Sequence, residues 1–306
     1  MTTESSIRTP MPRWQDHASA IASGFLGDWL QARESPLAMP MQVRHQGRAI
    51  NTGAPDVPDA SGTLVFLIHG LTELESVWSY RDDPDNGYGP ELARALGGTS
   101  LALRYNTGLP VYRNGELMAE ALETLLENWP VPVTNLILIG HSMGGLLIRA
   151  ACHHGRQSGH QWCRSVGSCV YIGSPHDGSW LARGAHRVAD HLAAMPKDYL
   201  RVAGEFIDLR SEGIRNLSRG EVTRPDAEEP PLLPGADHYV ISGLLTRNRA
   251  HPVNTLFGDA LVQEPSARGD ERSGWVLRDI ANFPGTHHIR LAHEPKVARQ
   301  LKEWLT

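Results

Sequence analysis

The chain has 306 residues, 41% of them hydrophobic, which is material for one large core or two ordinary ones. Its 29 Lys and Arg against 34 Asp and Glu leave a net charge of −5, and with no basic stripe the composition argues against a nucleic-acid partner. No apolar run approaches the length of a bilayer span, and the start, Met1-Thr-Thr-Glu-Ser-Ser, lacks the basic lead and apolar segment of a secretory signal. Three cysteines, Cys152, Cys163 and Cys169, form no close pairing motif and suit a reducing compartment, so a cytoplasmic location is expected.

Along the chain, residues Trp14 to Leu30 carry a helical apolar stripe (Ala18, Ile21, Ala22, Phe25, Leu26, Trp29, Leu30) interrupted by Gly24 and Gly27. Its polar face holds Asp16 and Asp28 and few cations, which favours packing over a membrane surface. Met41 to Ile50 reads as a strand pair, followed by a Pro-, Gly- and Asp-rich loop to Gly62. Thr63 to Ile68 is an unbroken apolar strand ending in His69-Gly70-Leu71. Ser100 to Tyr105 is a further strand. Gly115 to Trp129 is a helix with Met118, Leu122, Leu125 and Trp129 on one face, stopped by Pro130 and Pro132. Asn135-Leu-Ile-Leu-Ile139 is a buried parallel strand, Leu146 to His153 a helix, and Ser168 to Ile172 the next strand.

Between about 179 and 234 the alternation stops. Leu181, Ala185, Val188 and Leu192 recur at helical spacing, Tyr199 to Leu209 suggests a second helix, and a Pro- and Glu-rich loop runs from Pro225 to Pro234. An all-helical insertion of this kind predicts a lid over the strand ends. The sheet resumes at His238 to Ile241 and Asp279 to Phe283, and an amphipathic helix, Pro295 to Leu305, closes the chain with Val297, Leu301, Trp304 and Leu305 on one side. The expected architecture is one α/β domain, residues 1–306, with a largely parallel sheet covered by helices on both faces and a lid at about 179–234.

The chemistry concentrates in Gly140-His141-Ser142-Met143-Gly144-Gly145, a Gly-x-Ser-x-Gly pattern set between a strand and a helix. A tight turn there lifts Ser142 clear of the sheet, and the helix N-terminus offers free N–H groups to a developing oxyanion. The expected donors are the backbone N–H groups of Met143 and of Leu71, which follows the His69-Gly70 strand end. A serine needs a base and the base an orienting acid, in chain order Ser, Asp/Glu, His. Asp259, in Gly258-Asp-Ala-Leu-Val262, is preferred as the acid. Asp237 precedes a strand rather than following one, and Asp270 sits in the charged loop Arg268-Gly-Asp-Glu-Arg272. For the base, His287, His288 and His293 all stand between the last strand and the last helix. The cluster of Cys152, His153, His154, His160 and Cys163 follows no metal-ligand spacing, so neither a zinc site nor any cofactor is expected.

These residues resemble the α/β-hydrolase superfamily in its bacterial lipase and esterase branch, and more nearly a proteobacterial group related to the GPI-inositol-deacylase-like lipases. The likeness rests on Gly27-Asp-Trp-Leu30, His69-Gly-Leu71, Arg104-Tyr-Asn-Thr-Gly108, Asn114-Gly115 and the Ser142 hexapeptide. It continues through Gly173-Ser-Pro-His-Asp-Gly178, Arg210-Ser-Glu-Gly-Ile-Arg215, Gly258-Asp-Ala-Leu-Val262 and His288-x-x-Leu291 with Pro295 and Val297. The resemblance implies a triad of Ser142, Asp259 and His288, the spacing from the family histidine to the helix-opening proline selecting His288. Ala260 stands where the family commonly has glycine, and Ser174-Pro-His-Asp-Gly178 where it has Thr-Pro-His-His-Gly; neither change touches a catalytic atom.

The expected function is cofactor-independent hydrolysis of carboxylic esters with apolar acyl groups, of small-molecule, lipid or polyester substrates. Leu71, Asn106, Leu181 and Leu192 are expected to line the substrate site. An amidase, thioesterase or acyltransferase using the same triad is the neighbouring expectation, and a catalytically silent lipid- or partner-binding protein is the rival from another class.

Overall fold

The computed structural model describes residues 14–33, 39–176, 212–224, 227, 229–244 and 275–306. Eight strands form one sheet in the order β2-β1-β4-β3-β5-β6-β7-β8: β1 Gln42–His45, β2 Arg48–Ala49, β3 Thr63–Ile68, β4 Thr99–Arg104, β5 Asn135–His141, β6 Val166–Ile172, β7 Asp237–Leu244 and β8 Asp279–Pro284. The β1–β2 hairpin joins antiparallel to β4, and every pairing from β4 to β8 is parallel. The described helices are α1 Trp14–Ala32, α2 Tyr88–Leu96, α3 Val111–Glu127, α4 Met143–Ser158, α5 Glu212–Arg219 and α6 Pro295–Leu305. None of them is long and apolar enough to cross a membrane.

The apolar runs of the inner strands follow from burial on both faces. In β3, Leu64, Phe66 and Ile68 join Met118, Leu122 and Leu125 of α3 and Leu147 and Ile148 of α4 in one core layer. The alternate residues Val65 and Leu67 join Leu92 of α2 and Val297, Ala298 and Leu301 of α6 in the other. With β5 between β3 and β6, the residue after its end, Ser142, lies at the middle of the carboxyl edge of the sheet.

The expected elements that fall within the described residues are present, some with shifted ends. The helix read from Gly115 starts at Val111, behind Pro110, and the one read from Leu146 starts at Met143. Helix α2 was not anticipated. Of the expected lid, the stripe Leu181 to Leu192 and the helix Tyr199 to Leu209 lie outside the described residues. Residues 212–219 are helical, inside the expected all-helical insertion but beyond the two helices named within it.

The chain just beyond β3 is anchored by charge. Glu75, in a 3-10 turn, receives a fork from Arg104 (Nε–Oε2 2.9 Å, Nη2–Oε1 2.5 Å) and a contact from Arg44 Nε at 2.8 Å, and all three side chains are at most 14% exposed. Burial alone would raise the Glu75 pKa, but the two guanidinium groups outweigh it and hold the carboxyl below the usual range. Its stabilising contribution is therefore complete above the unfolded-chain value and is lost as pH falls through the lowered folded value. Glu75→Gln is expected to cost about 3 kcal/mol at neutral pH, because among the described residues the two largely buried cations keep only Asp16, 3.6 Å from Arg104, as a further acid. Urea unfolding at neutral and acid pH checks this: the gap between the two proteins should narrow on the acid side.

Candidate active site

Ser142 follows β5 and caps α4 with φ 53° and ψ −120°, a backbone geometry that favours glycine. Three features hold it there. Its N–H donates to the Ile172 carbonyl at 2.8 Å, extending the β5–β6 pairing, and its carbonyl accepts from Gly145 N–H at 3.1 Å. Gly144 lets the first turn of α4 press on β3, since a Cβ on it would stand 2.2 Å from the Ile68 carbonyl oxygen. Ser142→Gly is expected to relieve about 1–3 kcal/mol of backbone strain and to lose about 0.4–1 kcal/mol through the freer unfolded chain. The inactive variant should therefore unfold at a higher urea concentration than the wild type.

The turn after β3 stands against the serine: a Cβ on Gly70 would lie 3.0 Å from Ser142 Cβ. Its backbone donors can be accounted for one by one. Gly70 N–H donates to Glu73 Oε2 at 2.7 Å, Thr72 N–H to Thr107 Oγ1 at 3.3 Å, and Glu73 N–H to the Gly70 carbonyl at 3.3 Å. Within residues 70–73 only the Leu71 N–H has no acceptor among the described residues. Met143, the first residue of α4, has no intrahelical acceptor for its N–H either. Thr72 has φ 60°, so the turn is itself strained.

Of the candidate histidines, His287 is exposed and His288 only 4% exposed. His288 opens a 3-10 turn, His288–Ala292, after β8 and Gly285, and its ring lies 4.8 Å from that of His141, the residue before Ser142. Tyr88 of α2 anchors this turn, donating to the Leu291 carbonyl at 2.6 Å and accepting from Glu294 N–H at 3.0 Å. His293 lines an open groove of about 1060 Å³ with Arg44, Trp78 and Tyr80, and none of Ser142, Met143 and His288 borders that groove. Asp237 opens β7 at the sheet edge opposite Ser142. Asp259, Asp270, Leu181 and Leu192 lie outside the described residues.

Leu71 packs on an apolar cluster of Val111, Met143, Leu146, Ile214, Leu217 and Val222, so α5 is seated beside the serine turn. Asn106, 2% exposed, is occupied by the scaffold: Nδ2 donates to the Gly27 carbonyl at 3.0 Å and Oδ1 accepts from Gly108 N–H at 3.1 Å. Gly27 and Gly24 of α1 face Asn106 and Thr72, which explains both interruptions of that helix's stripe. Ser174 and His176 are fully buried, and the His176 ring meets Tyr171 and Trp275 edge-on, each at 4.9 Å.

The sequence reading passed over Glu73. Its carboxylate, 17% exposed, contacts His141 Nδ1 at 2.9 Å as well as Gly70 N–H, and His141 Nε2 lies 3.1 Å from the His288 carbonyl. Burial would raise the Glu73 pKa, but the His141 ring and the Gly70 N–H outweigh it and hold the carboxyl below its ordinary value. The available signal was an acid three residues after His-Gly, within one turn of the same strand end.

A family model described as a PGAP1-like alpha/beta domain matches residues 103–219, a stretch that includes Ser142. No curated protein matches the sequence. Among solved structures, the mature form of the Bacillus licheniformis lipase BlEst2 superposes with a TM-score of 0.53 at 18% identity, over 86% of this chain and 97% of the lipase. A hormone-sensitive lipase from a metagenome library gives 0.48 at 17% identity, over 86% and 84% of the two chains. At such identity the BlEst2 likeness speaks to architecture alone, and with the strand order it shows that this chain has the α/β-hydrolase fold.

Proposed function

We infer that the protein is a serine carboxylic-ester hydrolase working through an acyl-enzyme. The observation that carries this reading is Ser142 on its strained turn beside two backbone donors with no acceptor among the described residues, Leu71 N–H and Met143 N–H. Ser142 Oγ attacks the acyl carbon while His288 takes its proton, the two N–H groups hold the oxyanion, and the protonated His288 then delivers the proton to the departing alkoxide. Asp259, which follows β7 in the chain, orients the imidazole. Water repeats the sequence on the acyl-enzyme and restores the serine. The lipase name of the BlEst2 neighbour supports the reaction class.

The acyl pocket is apolar, with Leu71 and Met143 at its floor and the segment 179–234 as its wall. Ile214 and Leu217 of α5, seated on Met143 and Leu146, support placing that segment there. Leu181 and Leu192 extend the same wall. Asn106 shapes the pocket through the α1 backbone it holds. The wall admits long acyl chains, of lipids or polyesters, as well as short ones.

The test is a series of p-nitrophenyl esters of rising chain length, run beside an amide, a thioester and an emulsified polyester. Turnover of the esters above the amide supports the reading, and an inert protein across the series would remove it. Polar substitutions at Leu181, Leu192 or Ile214 are expected to lower long-chain turnover relative to acetate-ester turnover. Folded variants with the wild-type chain-length profile would place specificity elsewhere.

A further inference from the structure

One oxygen, Glu73 Oε2, serves both the Gly70 N–H at 2.7 Å and His141 Nδ1 at 2.9 Å, while the far nitrogen of the same ring, Nε2, meets the His288 carbonyl at 3.1 Å. A carbonyl only accepts, so Nε2 carries hydrogen. Two oxygen acceptors, a carboxylate and a carbonyl, therefore flank the ring, and the short contact at Nδ1 places a second proton between the imidazole and Glu73. We propose that Glu73 and His141 are a positioning pair for the hydrolytic site, a proton-sharing bridge from the oxyanion turn at Gly70–Leu71 to the segment that carries His288. The lowered Glu73 pKa agrees with a carboxylate facing an imidazolium. The bridge sets two directions that the chemistry needs at once. At one end the carboxylate takes the Gly70 N–H and leaves the next donor, Leu71 N–H, for substrate. At the other end the His288 backbone is tied to the residue preceding the nucleophile.

Glutamine cannot replace the acid here. Its amide oxygen can accept from Gly70, but the same atom then requires hydrogen on Nδ1, and a neutral imidazole with hydrogen on Nδ1 has none on Nε2 for the His288 carbonyl. One end of the bridge must open. The inference rests on the hydrolase reading, so its test has an arm that does not depend on turnover.

The experiment compares wild type, Glu73→Gln, His141→Gln and the double variant. Folding is checked by near-ultraviolet circular dichroism, kcat and KM are measured on p-nitrophenyl butyrate, and the ring N–H signals of His141 are followed by nitrogen-15 NMR. In the wild type a hydrogen-bonded Nδ1–H of His141 is expected at neutral pH, and Glu73→Gln should abolish or strongly shift it. Each single variant should lose about 10- to 100-fold in kcat with KM moved less than about twofold, because reacting groups are displaced rather than binding surface removed. The double variant should lose no more than the worse single one, since the pair acts as a unit. Absence of the Nδ1–H signal in the wild type would overturn the bridge, and so would a folded Glu73→Gln or His141→Gln variant with wild-type kcat. If Glu73→Gln fails to fold, His141→Gln alone decides. A wild type inert on all esters that still shows the signal would sink the hydrolase reading and the positioning role, leaving the proton-sharing pair standing.

Discussion

Ser142→Ala is expected to cut kcat/KM on p-nitrophenyl esters by about a thousandfold or more, since members of such a catalytic unit fail together. Stability should change little. The serine is 6% exposed, and its described bonds, to Ile172 and Gly145, are made by the backbone and survive the loss of Oγ. Alanine keeps Cβ and with it the strain at φ 53°, so the unfolding midpoint should stay near wild type while that of Ser142→Gly rises. The comparison separates chemistry from conformation: two inactive proteins, one as stable as wild type and one more so. An alanine variant keeping a tenth of wild-type activity would rule out a covalent mechanism through this residue.

The second large effect is expected at His288. His288→Ala should match the serine variant in loss of turnover, because an unassisted hydroxyl is a poor nucleophile. The adjacent His287→Ala should lose less than about threefold, since an exposed side chain contributes little. His293→Ala should also keep most activity, because that ring lines the groove beside Arg44 and Trp78. Loss of activity in His287→Ala with retention in His288→Ala would shift the base by one residue and break the link to His141.

Much of the frame was legible from the chain. Strands β3 and β5 are buried on both faces, so Leu64 to Ile68 and Leu136 to Ile139 show as unbroken apolar runs. Helix α2 was not, because Gly87, Gly89 and Pro90 crowd its start with residues that usually mark a turn. The start of α3 was placed late because Pro110 caps it without a side-chain hydrogen bond, leaving no polar capping signal. Ser142 could be singled out as the candidate nucleophile because its motif is local. Choosing His288 over His287 from the residues alone was not possible, since what separates them is burial against distant elements. Glu73 was missed for a related reason: its place three residues after His-Gly gains meaning only from its partner His141, which stands 68 residues away.

The central claim, that Ser142 is the nucleophile of an ester hydrolase, is tested most directly by trapping it. The protein is incubated with a p-nitrophenyl alkylphosphonate, p-nitrophenol release is followed, and the adduct is located by intact-mass and peptide mass spectrometry. The account predicts one phosphonyl group per chain, on Ser142, with esterase activity lost in proportion to labelling and no adduct on Ser142→Ala. Full ester turnover by an unlabelled protein, or a stoichiometric adduct on any other residue, would contradict it.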